Sequence, residues 1–387
     1  MQIFLVAGAS VWVHTGFQIA REHILFHESW VRAVIIIGAV AIVALVSAAA
    51  LRSKQLVRRY EGSASTAVAS VAAFLLVFVF CSFPQVKMHH PIPLFAERVF
   101  AGGGWIEILC LSVYAAWLAE RLVSAPATGL LRRRIWIFFS LVFFTQVLLG
   151  LAGLPICLMT GKLHLPVPAL VFAGPLYRGE GFFMPILFGA TILFAGPVWC
   201  SWLCYIGSWD NLAAESEKLP GRPIRHRDSI RAGILVCTIA AGLILRWCGV
   251  PAGAAAAAGG AFGIGGIAIM VFLSSKRGSM LHCTMYCPIG LIADIAGKIN
   301  PFRIKIGTGC TDCRHCARVC RYGALTAEDI RRRRPGLTCT LCGDCTSACG
   351  GRQIDYHFPG LNASAARTAF IVIVVFLHAL FLGFGRL

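Results

Sequence analysis

The sequence predicts an all-α polytopic membrane protein of eight or nine transmembrane helices, with a small cysteine-rich α+β insert on one side of the bilayer. Three observations carry this. Of 387 residues, 58% are apolar and 13% charged, about half the charged fraction of a soluble domain. Apolar stretches of about 20 residues, the length that spans the hydrocarbon core, recur along the chain. Eight of the 17 cysteines fall in two tight, matching runs. This composition excludes a soluble globule, a disordered chain and a collagen-like repeat.

Eight segments read as spans: Val31–Leu51, Ala67–Phe83, Gly103–Val123, Ile135–Leu154, Gly181–Trp199, Ile230–Val250, Ala252–Leu273 and Thr368–Gly385. Ile3–Ala20 is a ninth, weaker because it holds His14, Thr15 and Gln18. It lacks a basic start and a small-residue cleavage site, so it is not read as a signal peptide. With nine spans, alternate loops sort the Lys and Arg residues 27 to eight. The basic side is the expected cytoplasmic face of a bacterial inner membrane, with the N-terminus inside and the C-terminus outside. The net charge of +18 is then a matter of topology and not of nucleic-acid binding, and the charge at Arg132–Arg134 and Arg222–Arg227 is read the same way. Leu163–Phe172, apolar but short and holding two prolines, reads as a re-entrant or interfacial segment. The Ala/Gly run Ala252–Gly266 reads as a helix packed centrally in the bundle, since small residues let backbones approach closely.

Four domains follow: an N-terminal bundle (1–180), a transmembrane repeat pair (181–303), a two-cluster ferredoxin-like domain (304–356) and a C-terminal helix (368–387). The third rests on Cys310, Cys313, Cys316 and Cys320, spaced C-x2-C-x2-C-x3-C, and on Cys339, Cys342, Cys345 and Cys349, which repeat it. In the bacterial two-cluster run the first three thiolates hold one cubane and the fourth crosses to the other. Cys310, Cys313, Cys316 and Cys349 are therefore assigned to one 4Fe-4S cluster, and Cys339, Cys342, Cys345 and Cys320 to the second. A zinc ribbon wants two C-x2-C pairs instead, and disulfides do not suit the cytoplasmic side. Where ferredoxins have proline after the fourth cysteine, this chain has Arg321 and Gly350; Arg321 is expected to raise the potential of one cluster. The run Arg331–Arg334 reads equally as a solvated loop or as a docking patch for an acidic cytoplasmic partner.

Cys200 and Cys204, then Cys283 and Cys287, form a second repeat, C-x3-C-x-I-G, with the arms 83 residues apart. Each follows a predicted span and leads into a short amphipathic stretch with Asp210 or Asp294. Repeats in membrane proteins often place function at their interface. The four thiols are expected to hold a third cluster, shielded by Trp199, Trp202 and Tyr286.

Paired C-x3-C motifs followed by a double ferredoxin run resemble the membrane polyferredoxins associated with periplasmic nitrate and nitrous-oxide reductases and methylamine utilisation, the NapH/NosR/MauN type. The resemblance covers roughly Gly181–Gly360. Pro288 matches its C-x3-C-P pattern, whereas Tyr205 replaces proline in the first arm, and residues 1–130 carry no matching motif. It implies electron transfer between the membrane or cytoplasm and an outer-side reductase or maturation system, with other redox subunits or soluble carriers as partners.

Seven histidines fall within spans or on the outer side: His14, His23, His27, His89, His90, His164 and His378. As a group they suit a quinone site, with His89, His90, His164 or Glu107 as the proton-accepting base. A b-type haem between His14 and His378, and a copper site at Met88-His89-His90, rank below it. Any one histidine alone is better read as interfacial. Cys81, Cys110, Cys157, Cys237 and Cys248 read as buried small hydrophobes. The expected function is one-electron transfer between cytoplasmic clusters and a membrane quinone or outer partner. The alternatives are a metal reductase or maturation factor for copper or haem enzymes, and a redox-linked ion transporter subunit, for which Glu107, Glu120 and Gln146 offer few polar positions.

The orientation is open to test. In intact cells an impermeant thiol reagent should label a cysteine placed at Glu180 and should not label one placed at Glu217 or Arg333. Labelling at the last two sites would invert the topology.

Overall fold

A computed structural model of the chain describes residues 63–86, 94–125, 128–152, 165–221, 223–224 and 226–384. The expected spans Ile3–Ala20 and Val31–Leu51, the histidines His14, His23, His27, His89, His90 and His164, and Cys157 lie outside the described residues.

The protein is mostly helical. Helices α1 (Ser63–Val86), α2 (Phe95–Val99), α3 (Gly103–Ser124) and α4 (Gly129–Leu151) come first. The short helices α5 (Leu170–Arg178), α6 (Phe183–Ala195) and α7 (Tyr205–Ala214) follow, then the long α8 (Arg227–Trp247) and α9 (Ala252–Ile269). A π turn, Met270–Ser274, carries α9 on to Arg277. The chain continues through α10 (Pro288–Ala296) and ends on α14 (Ala363–Phe384). Five helices are long and apolar enough to cross a membrane: Ser65–Val86, Gly129–Leu151, Arg227–Trp247, Ala252–Arg277 and Ala363–Phe384. At 1.5 Å per residue they reach roughly 30–40 Å. Helix α3 is as long but bears Glu107, Glu120 and Arg121 and is not among them. The expected span Gly181–Trp199 is a 13-residue helix, about 20 Å long, that ends at Gly196 and gives way to a π turn.

Helices α1, α3 and α14 share one core. Ala69, Ala73 and Val77 meet Ile108, Ala115 and Ala119, and Phe370, Val374 and Phe381 close the third side. Alanines at the contacts let the backbones approach closely. Among the described residues, half of α9 is exposed and a stripe of small residues is covered. Side chains from elsewhere lie over that stripe, Leu170 at Gly259, Val167 at Gly263 and His282 at Gly266.

Between α10 and α14 stands the cysteine-rich insert. Strand β1 (Arg303–Ile306) pairs antiparallel with β2 (Ile354–His357), in register from Arg303 opposite His357 to Ile306 opposite Ile354. Period-2 alternation turns Ile304, Ile306, Ile354 and Tyr356 inward. The five-residue helices α11 (His315–Val319) and α13 (Asp344–Ala348) pack together and bury Cys316 and Cys345. Helix α12 (Ala327–Arg331) starts on a capping box of Thr326 and Asp329.

Basic side chains fix the insert to the helices. Arg132, fully buried near the start of α4, donates from Nη2 and Nε to the Asp344 carboxylate at 2.8 and 3.2 Å, and from Nη1 to the Ser201 carbonyl at 2.9 Å. Arg227 donates to the Tyr322 and Gly323 carbonyls and to Thr338 Oγ1. Arg321 reaches the carbonyls of Gly278 and Glu217 at 2.7 and 2.9 Å; its guanidinium is engaged with the loops between helices. Topology alone thus does not account for these charges: Arg132 and Arg227 are structural ties, and Arg133 pairs with Glu215 at 2.7 Å.

Arg132→Ala should therefore cost about 3 kcal/mol of stability, since it strands a carboxylate in a largely buried site. Thermal unfolding in detergent measures this. Arg132→Ala combined with Asp344→Ala should recover part of the loss.

Candidate functional site

The two C-x3-C arms fold alike. Trp199–Leu203 and His282–Tyr286 are both π turns, closed by Cys204 N–H to the Trp199 carbonyl at 2.8 Å and Cys287 N–H to the His282 carbonyl at 2.7 Å. Cys204 (φ −76°, ψ 113°) and Cys287 (φ −73°, ψ 116°) then stand at the N-caps of α7 and α10. The N–H groups of Ile206 and Gly207 point at the Cys204 thiol, and those of Ile289 and Gly290 at Cys287. Pro288 takes the first helical position, where proline is pre-organised. Tyr205 holds the same place with the same preceding backbone, its ring stacked on Phe143 at 3.7 Å.

The glycine of each arm has a steric cause. A Cβ at Gly207 would stand 2.7 Å from the Trp136 ring and 3.1 Å from the Cys200 carbonyl; at Gly290 it would stand 2.7 Å from the Cys283 carbonyl. Each helix start thus lies tight against the first cysteine of its own arm.

Across the arms the four thiols come within electrostatic reach of one another. Burial is the main force raising Cys200 and Cys283, and the charges of Cys204 and Cys287 add to it. Burial pushes Cys204 up to about 12. The aspartates cross over: Asp210 of the first arm accepts the Cys283 N–H at 3.0 Å, and Asp294 of the second acts on Cys200. Burial raises both carboxyls to about 6. Arg231, itself buried, pairs with Asp294 at 2.8 Å and draws Cys200 and Cys287 back down. Trp202 Nε1 and both ring nitrogens of His282 are buried without a hydrogen-bond partner in the same two turns. Such a site resists four thiolates alone and suits them when bound cationic iron offsets their charge.

The insert brings four of its cysteines together. Cys320, Cys339, Cys342 and Cys345 line one small pocket with Tyr322, Leu325 and Asp344. Burial pushes Cys320, Cys339 and Cys342 up to about 12. Cys316 is raised by burial and then by the charges of Cys310 and Cys349, while Cys313 lies exposed. Matching backbone bonds serve the fourth cysteine of each run: Ala324 N–H to Cys320 Sγ and Gln353 N–H to Cys349 Sγ, both 3.3 Å. Among the described residues no three His, Cys, Asp or Glu side chains close on a single-ion site; a cubane instead spreads its thiolates around a larger iron–sulfide cage.

Tyr322 joins the insert to the arms. Its hydroxyl donates to the Cys200 carbonyl at 2.8 Å. Its ring shares a buried cluster with Trp136 and Met280, against which Cys283, Cys320 and Cys342 pack. Trp136 Nε1 donates to the Cys204 carbonyl at 2.9 Å, and Ser201 Oγ to the Thr340 carbonyl at 2.9 Å. Arg132, Tyr322 and Trp136 escaped the sequence reading. An arginine at a span end looks like any topological charge, and nothing in the local sequence marks a buried contact 68 or more residues away.

Of the outer-side candidates, His89, His90 and His164 lie outside the described residues. Glu107 Oε2 accepts the Ala96 N–H at 2.7 Å, a bond that ties α2 to α3. His378 is buried, with Nε2 3.1 Å from the Tyr114 hydroxyl; its proposed haem partner His14 lies outside the described residues. Cys81 is buried as expected, whereas Cys110, Cys237 and Cys248 are exposed, on outward faces of helices or a helix end. Two carboxylates offset about half of the charge of the arginine run: Arg331 and Arg332 share Glu328 at 2.6 and 2.8 Å, and Arg333 pairs with Asp312 at 2.9 Å.

Two segments, residues 179–223 and 259–308, match the family described as 4Fe-4S binding domain. They coincide with the two C-x3-C arms, the first holding Cys200 and Cys204 and the second Cys283 and Cys287. No curated protein and no solved structure matches the chain. The chain is an iron–sulfur protein with helices built to cross a membrane.

Gly290→Ala should drive the start of α10 away from the Cys283 carbonyl and open the cradle of the arms. Iron bound per chain should fall by about four, one cubane, while the insert keeps its share. Unchanged iron would show that the tight approach is not needed to hold a cluster.

Proposed function

We propose that this chain is a membrane-bound electron relay with three 4Fe-4S clusters. Cys310, Cys313, Cys316 and Cys349 hold the first, Cys339, Cys342, Cys345 and Cys320 the second, and Cys200, Cys204, Cys283 and Cys287 the third. The single observation that carries the reading is the match of both C-x3-C arms to a 4Fe-4S binding family, in a chain with eight further cysteines in two matching runs. The clusters supply one-electron storage at potentials that the protein adjusts.

The residues around them set a direction in space. The first group contains the exposed Cys313 and faces water. The second lines a small pocket and has no exposed cysteine. The third lies against the helices, with Tyr322 spanning the gap between the second and third. Trp136, Met280 and Trp202, all buried, exclude water from that path and lower its dielectric. Arg231 supplies a fixed positive charge beside the third group.

The basic side carries the insert and faces the cytoplasm of a bacterial cell. Electrons pass between a cytoplasmic carrier and a membrane quinone or outer-side redox partner, in keeping with the resemblance to polyferredoxins of the nitrate, nitrous-oxide and methylamine systems. His89, His90, His164 and Glu107 stay the proposed quinone residues. No observation favours the metal-reductase or transporter readings over this one.

Iron and sulfide analysis of anaerobically purified protein tests the reading. About twelve irons per chain are expected, four for each cubane. Cys342→Ser should remove about four, and Cys204→Ala with Cys287→Ala a different four, each with loss of its own paramagnetic signal on reduction. A fully loaded protein with about eight irons, unchanged by the second pair of substitutions, would rule out the third cluster.

A further inference from the structure

We propose that the surface around Cys313 is the docking face for a small acidic one-electron carrier protein, held by Arg314, Arg318 and Arg352. The inference rests on the reading of Cys310, Cys313, Cys316 and Cys349 as one cluster site. Among the eight cysteines of the insert, Cys313 is the exposed one. Electron transfer without bond formation falls steeply with distance, so a soluble partner exchanges with the cluster whose ligand reaches the surface. No cysteine of the second or third group is exposed.

Three segments bring charge to that cluster. Arg314 follows Cys313 directly. Arg318 lies on α11, the helix that carries Cys316. Arg352 is tied to the loop of Cys349, whose carbonyl accepts the Arg352 N–H at 2.9 Å. All three are exposed, and among the described residues none pairs with a carboxylate. The nearby acids are already engaged: Asp312 with Arg333, and Glu328 with Arg331 and Arg332. Two carboxylates offset about half of the charge of the four consecutive arginines, while Arg314, Arg318 and Arg352 have none. Unpaired guanidiniums around one cluster repel each other, and a partner's carboxylates relieve that repulsion while steering encounter.

In the step itself one electron leaves the carrier's reduced centre and one is gained by the cluster. No bond forms or breaks and no proton moves.

The test follows reduction of the detergent-purified holoprotein by a reduced acidic 2Fe-2S ferredoxin in stopped flow. The rate constant should fall as salt rises. Arg314→Glu/Arg318→Glu/Arg352→Glu should slow it about tenfold or more at low salt. Arg331→Glu/Arg332→Glu/Arg334→Glu, an equal change of charge on the same insert, should slow it by about twofold or less. Photoreduction by a small neutral flavin should be the same in all three proteins. A first variant as fast as wild type with full iron content, or a second variant slowed as much as the first, overturns the docking face. If Cys313→Ser leaves iron content unchanged, the cluster reading itself fails, and the inference with it.

Discussion

The Arg132 guanidinium is the interaction on which the rest of the site depends. One planar cation, wholly buried, binds both oxygens of Asp344 in the insert and the Ser201 carbonyl in the first C-x3-C turn. Asp344 opens the helix that buries Cys345, and Ser201 follows Cys200. Arginine suits this because its fork satisfies a carboxylate bidentately and leaves a further N–H for a carbonyl. Two cysteine groups from distant parts of the chain are thereby held in one frame. The same side chain lies over the Trp136 ring, and that indole bonds the Cys204 carbonyl.

A second constraint comes from burying so many thiols. Twelve of the 17 cysteines lie in the two arms and the insert, and burial makes most of them hard to ionise. The structure answers with backbone N–H groups: at the starts of α7 and α10 for the arms, and after the fourth cysteine of each run in the insert. Charges beyond the backbone are placed unevenly. Asp294 has Arg231 as its counter-ion, while Asp210 has a backbone N–H. The arms are thus twins in backbone and different in electrostatics, and the asymmetry falls on the side of the site where α8 passes.

Exposure separates the cysteines further. Strands β1 and β2 tie the two ends of the insert together, and Tyr356 stacks on Phe370 of α14 at 4.6 Å. Arg367, near the start of the same helix, donates to the last carbonyls of α3. The insert therefore stands on a helix that also belongs to the core of the bundle. Its far side, with Cys313, stays open to water.

The sequence by itself determined the membrane class, the cysteine spacings and the existence of two like arms. These are local properties: apolar length sets a span, and a few residues between thiols set how tightly a backbone turns. It also marked the glycine of C-x-I-G without giving its reason, which is a carbonyl brought close by a π turn. It left the packing of α9 open, because a run of alanine and glycine permits close packing without requiring it. The 13-residue α6 was beyond it too, since Gly196 and the turn after it stop the helix where hydropathy continues. Only the tertiary structure decided which charges are ties and which are free. Arg132 and Arg134 are indistinguishable as letters, yet one is buried against Asp344 and the other exposed. An ion pair is fixed by where distant segments meet, and that meeting is a property of packing that no local pattern encodes.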